Sequence, residues 1–118
     1  MPDERIALIF PGQGTQFVGM GADLHRRFPE AQAAFEEADE ALGYSLSRLC
    51  FDGPDSDLQQ GQHTQPAIVA VSVALWRVVA ARVDAHPVVT AGHSLGEYSA
   101  LVASEALTLA DALPLVAA

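Results

Sequence analysis

Gly92-His93-Ser94-Leu95-Gly96 sets one serine between glycines two residues to either side. A serine hydroxyl carried on a sharp turn between strand and helix is exposed to a substrate, and small flanking residues let the backbone fold back there without a clash. The chemistry such a hydroxyl supports is nucleophilic attack with a covalent ester intermediate on Ser94. The next amide, that of Leu95, falls at the start of the following helix. Unpaired N–H groups and the helix dipole there stabilise the negative oxygen of a tetrahedral intermediate. The pattern arises by chance in about 4% of chains of this composition, so its surroundings decide. A short β-branched strand, Val88-Val89-Thr90-Ala91, stands directly before it and a helical run, Glu97 to Val102, directly after. A glycine-tight turn with an idle serine would leave the same five residues.

A second glycine-rich turn, Phe10-Pro11-Gly12-Gln13-Gly14-Thr15-Gln16, follows an apolar run at the end where open α/β sheets gather their ligands. Gly12 and Gly14 permit close approach of the backbone, and Gln13 offers an amide donor to the nucleophile loop or to a substrate carbonyl. A plain turn is the alternative. The lysine and Ser/Thr of a phosphate-binding P-loop are absent, and Gly12, Gly14 and Gly19 have the wrong spacing for a dinucleotide fingerprint. The general base is harder to find. His93 adjoins the serine, but neighbours on a sharp turn point apart, so it reads as rim or core packing. His25 in a helix, His63 in a polar loop and His86 before a proline have no partner in sequence that points to catalysis. In open α/β hydrolase sheets the histidine comes late, after the nucleophile.

Elements that position these turns are legible from periodicity. Ile6 to Phe10 reads as a strand buried on both faces of a parallel sheet. Pro29 to Leu42, with Pro at its start and Gly43 as its stop, reads as an amphipathic helix. Gly53 to Gln62 reads as a loop with at most one helical turn. Thr64 reads as the cap of a largely buried helix, with Pro66 in second position and Ile68, Val71, Ser72, Leu75, Val78 and Val79 at helical spacing. Thr108 with Asp111 opens a last helix, Leu109 to Ala118, in which Pro114 is a candidate kink. The fold class is therefore α/β: a partial parallel sheet with flanking helices and a serine elbow. Two parallel strands need neighbours, and the chain stops inside an apolar helix, so residues 1–118 are expected to be part of a larger unit. A small domain that oligomerises to complete its sheet is the alternative.

The chain has 118 residues, half of them apolar, enough for one modest core. Its net charge of −9, with six arginines and no lysine, argues against nucleic acid as a partner. One cysteine, Cys50, cannot form an internal disulfide, which suits a reducing compartment; cytoplasm is the expectation. No export signal is visible after Met1. Ala67 to Val83, interrupted by Ser72, Arg77 and Arg82, falls short of a membrane span. No membrane association, metal or other cofactor is expected.

Three segments in order, Phe10 to Gln16, Thr64-Gln65-Pro66-Ala67 and Gly92 to Ala100, resemble the malonyl-CoA:acyl-carrier-protein transacylase family, and the likeness extends through Ala41 to Tyr44 and Ser72 to Arg77. The resemblance implies the N-terminal part of an acyltransferase α/β-hydrolase-like subdomain. It implies ping-pong transfer of a malonyl group from malonyl-CoA, through Ser94, to the phosphopantetheine thiol of acyl carrier protein in fatty acid biosynthesis. It maps Gln13 and the Leu95 amide to the oxyanion site and Gln65 to a polar position nearby. The family's catalytic histidine and carboxylate-binding arginine lie downstream of the matched region, so a downstream segment is an implied partner. Leu95 is similar to malonyl-type members, whereas methylmalonyl-type relatives often carry glutamine there. Alternatives are a polyketide-type extender acyltransferase, a serine esterase or thioesterase, and a non-catalytic structural fragment.

Overall fold

The computed structural model describes residues 5–84 and 87–118. His86, and Met1 to Glu4 at the N-terminus where an export signal was sought, lie outside the described residues. The elements in chain order are β1 (Ala7–Phe10), α1 (Ala22–Arg27), α2 (Pro29–Leu42), α3 (Leu46–Asp52), α4 (Asp55–Leu58), α5 (Gly61–Arg82), β2 (Val89–Gly92), α6 (Gly96–Ala103) and α7 (Leu109–Ala117). The two strands pair in parallel, Ala7 beside Val89 through Phe10 beside Gly92. The architecture is the expected α/β one.

Sheet burial departs from expectation. The strands are covered on one face, where α6 packs on both and Thr90 Oγ1 donates to the Ala100 carbonyl at 3.2 Å. On the other face Ile9 is 79% and Val89 54% exposed. The continuous apolar run is consistent with burial on both faces, but the helix packed closely on both strands is α6, and the Ile9 side is left largely open.

The core lies instead between α2, α5 and α7. On α2, Ala31, Ala34, Phe35 and Ala38 are buried. Three alanines on one face let the backbones approach closely, and Phe35 fills the remaining space. Leu109, Ala112, Leu113 and Val116 of α7 complete the cluster. Each fully buried Leu or Phe here contributes about 1.5–3 kcal/mol of transfer free energy. Pro29 sits at the start of α2, and Gly43 ends it at φ 78°, a conformation that suits glycine. Thr108 caps α7, accepting from the Asp111 N–H at 3.1 Å. Pro114 lies inside α7, which continues past it to Ala117.

Helix α5 begins earlier than Thr64. Its first residue is Gly61, and Thr64 lies within it, its buried hydroxyl donating to the Leu58 carbonyl and to the Gln60 carbonyl at 3.0 Å. A threonine can bond backwards to a carbonyl as well as cap forwards, and the local pattern is the same for both. The early start also moves His63 from a loop into the helix, with Nδ1 2.8 Å from the Asp57 carbonyl. The buried residues of α5 include Ile68, Val69, Ala70, Val73, Ala74 and Val78, whereas Leu75 and Val79 are 48% and 37% exposed. The helix is apolar nearly all round, so spacing alone does not choose its inner face; packing against α2 and α7 does. By length and composition alone α5 is long and apolar enough to cross a membrane, an 18-residue window of it having mean hydropathy 1.5, but 56% of that window is buried, in keeping with the sequence reading of a buried helix. Within this fold it packs against α2, α3, α4, α6 and α7. Helix α3, which the sequence reading did not anticipate, is capped by Ser45 and buries Cys50, whose thiol is pushed up to about 12, first by burial and then by the Asp39 carboxylate.

Candidate active site

Ser94 lies in the turn joining β2 to α6, with φ 53°. This left-handed conformation is rare for a residue with a Cβ and costs about 1–3 kcal/mol where the surroundings impose it. The surroundings are very tight. A Cβ on Gly92 would fall 1.9 Å from the Gly96 carbonyl carbon, and one on Gly96 would fall 2.3 Å from the Phe10 carbonyl oxygen. Both glycines are therefore required by space, not by their own torsions. The turn is closed by hydrogen bonds from the Gly96 N–H to His93 O and from the Glu97 N–H to Ser94 O, each 3.0 Å.

The same packing joins the two glycine-rich turns. The His93 N–H donates to the Phe10 carbonyl at 3.1 Å, and a Cβ on Gly12 would meet His93 O at 2.5 Å and its ring Nδ1 at 3.3 Å. The loop after β1 is thus held directly against the elbow after β2, as parallel pairing of β1 with β2 requires.

Gln13, Gln65, Ser94, Leu95, Glu97 and Tyr98 line one cavity of about 280 Å³. All four sequence-derived site residues come together there, from three separate parts of the chain. Gln13 comes from the loop after β1, Gln65 from the second turn of α5, and Ser94 with Leu95 from the elbow. Neither the Leu95 N–H nor the Gln13 backbone and side-chain amides have a hydrogen-bond partner among the described residues. These donors are available to an oxygen that develops negative charge over Ser94. Glu97 and Tyr98 join the sequence-derived residues in the lining. Their spacing of three and four residues from Ser94, across a helix start, is the signal that puts them on its side.

A larger hollow, about 570 Å³, lies beside α5 and the end of α6 and is lined by Glu30, Trp76, Arg77 and Glu105. It holds no nucleophile, and Arg77 is ion-paired with Glu37. Chemistry, not size, selects the Ser94 cavity. Among the described residues no histidine and none of the six arginines lines it. His93 makes no hydrogen bond to Ser94 among the described residues; its ring packs at Gly12 on the rim. His25 packs its ring against Phe35 and Phe51, and His63 against Tyr44.

Residues 7–118 match the acyl transferase domain family. The chain belongs to that family. This acyl transferase chain is 47% identical over 112 residues to the malonyl CoA-acyl carrier protein transacylase of Salmonella typhimurium, covering 95% of the chain and 36% of the relative. It superposes with a TM-score of 0.92 and 49% identity on an acyl carrier protein S-malonyltransferase from Vibrio cholerae, covering 97% of this chain and 37% of that one. A further similar structure, at TM-score 0.91 and 46% identity and again covering 97% and 37%, is a malonyl-transacylase in complex with a type II PKS acyl-carrier protein. The acyl transferase chain thus spans about a third of the length of these relatives.

Proposed function

We propose that Ser94 is the nucleophile of a malonyl transfer from CoA to acyl carrier protein, serving fatty acid biosynthesis in the cytoplasm. The observation that carries this reading is the meeting of Ser94 with the unpaired Leu95 and Gln13 amides in one cavity of a chain 47% identical to a malonyl CoA-acyl carrier protein transacylase. Ser94 Oγ attacks the thioester carbonyl carbon, and its proton passes to a general base. The carbonyl oxygen becomes an oxyanion that accepts from the Leu95 N–H and from Gln13. Collapse breaks the C–S bond, and CoA leaves as a thiol after protonation. The phosphopantetheine thiol then attacks the Ser94 ester by the same steps in reverse, and Ser94 regains its proton. Gln65 adds a polar group at the cavity wall.

The base and the cation for the malonyl carboxylate come from a downstream segment, because among the described residues no histidine or arginine lines the cavity. A carrier protein of polyketide type is the second reading, supported by the similar malonyl-transacylase solved with a type II PKS acyl-carrier protein.

The test is intact-mass spectrometry after brief exposure to malonyl-CoA. The chain is measured alone and with the downstream two-thirds of the Salmonella relative supplied as a second polypeptide. A single malonyl adduct, formed faster with the second polypeptide and absent in Ser94→Ala, is the expected result. An adduct that survives Ser94→Ala, or none in either mixture, overturns the assignment. Steady release of malonate without a thiol acceptor would instead identify a hydrolase.

A further inference from the structure

The Gln13 loop is held at its first end by Gly12, wedged against His93. Its other end has no steric stop. Gly14 sits at φ 107°, and nothing lies within 4 Å of where its Cβ would be. What restrains it is a relay of side-chain amides. The Gly14 N–H donates to Gln16 Oε1 at 2.8 Å, Gln16 Nε2 donates to Gln59 Oε1, and Gln59 Nε2 donates to Asp55 Oδ1 at 3.0 Å. Thr15 Oγ1 closes the same turn on the Gly12 carbonyl at 3.0 Å. The far end of the relay is firm. Gln59 follows α4, whose Leu58 is fully buried and whose Leu58 carbonyl accepts from Thr64 inside α5.

We infer that Gln16, anchored through Gln59, is a positioning residue that holds Gln13 beside Ser94. Gln13 is then clamped between a steric stop at Gly12 and a hydrogen-bonded strut at Gly14. An oxyanion donor stabilises a transition state only if its position is set before the charge develops, and small displacements cost orders of magnitude. A purely structural role predicts something else. All three relay bonds are solvent-exposed, so the loss of those that Gln16 makes should move global stability little while loosening the loop.

This inference rests on the acyl-transfer reading, and two measurements separate them. Gln16→Leu removes both relay bonds, Gln59→Leu removes the anchor, and Gln16→Glu keeps an acceptor for Gly14 and can also accept from a turned Gln59 amide. The expected results for both leucine variants are faster amide hydrogen exchange at Gly14, whose N–H the relay holds, and Ser94 acylation slowed by roughly 10- to 100-fold in the two-polypeptide mixture. The urea midpoint should be unchanged, and Gln16→Glu should stay near the parent. Unchanged exchange in Gln16→Leu, or faster exchange with an unchanged acylation rate, overturns the positioning role. A parent chain that shows a protected Gly14 amide but no acylation overturns the acyl-transfer reading while leaving the brace in place.

Discussion

At the scale of single residues, Ser94 carries a left-handed backbone that a serine does not choose for itself. Gly92 and Gly96 let Phe10, His93 and Gly96 crowd together so closely that the turn has no slack. Gly92→Ala tests this directly. Its Cβ would meet backbone atoms, which cannot swing aside as a flexible side chain could. We expect a loss of about 3 kcal/mol or more, read from urea unfolding of the variant against the parent. A loss below about 0.5 kcal/mol, the size of a neutral surface change, would mean the turn is looser than described. The serine and its glycines were legible in sequence because their spacing is local. Gln13 was legible only as a donor near a strand end, since its proximity to Ser94 depends on how β1 lies beside β2. Gln16 and Gln59, 43 positions apart, gave no signal at all.

Among the elements, α5 shows where pattern reading stops. It was expected to start at a Thr64 cap, yet it starts at Gly61 and turns Thr64 inward. The hydroxyl then ties α4 to α5 by bonding to the Leu58 and Gln60 carbonyls. Thr64→Val keeps the shape and deletes the donor. It should cost about 1–2 kcal/mol because a buried carbonyl loses its partner, seen as a lower urea midpoint at unchanged m-value. If Thr64 served only as a cap, Thr64→Ser would match the parent and Thr64→Val would behave like the loss of an exposed helix-end bond. By contrast α2 kept its expected bounds, Pro29 to Leu42, because proline and glycine punctuate both ends and act through the local backbone. The Thr108 cap of α7 was equally local.

For the whole molecule, the exposed side of the sheet is the main consequence of the fold. Ile9 and Val89 are 79% and 54% exposed, and Ile9 borders a groove of about 370 Å³ lined also by Phe17, Met20, Leu75 and Val79. Surfaces of this kind associate, either with a second copy or with another polypeptide. Ile9→Thr should therefore weaken self-association of the isolated chain by roughly tenfold, given what partial burial of this exposed isoleucine would contribute. Sedimentation velocity over a concentration series measures it. A wholly monomeric parent, or association untouched by the substitution, would show that the sheet face is not the contact. The ion pair of Arg26 with Asp23 lies mostly in solvent, and those of Arg77 with Glu37 and Arg82 with Glu30 are partly exposed, so they add little to stability by comparison.

What the amino-acid sequence determined by itself was local: the elbow and its serine, the two glycine-rich turns, the punctuation of α2 and the cap of α7. These depend on residues within a few positions of one another, so torsional preference and spacing suffice. The tertiary structure decided which face of α5 is buried, that only one face of β1 and β2 is covered, and that Gln13, Gln65 and Ser94 share one cavity. Those outcomes follow from parallel pairing of strands about 80 positions apart and from helix packing. Such contacts are set by which distant surfaces exclude water together, and no local pattern encodes that choice.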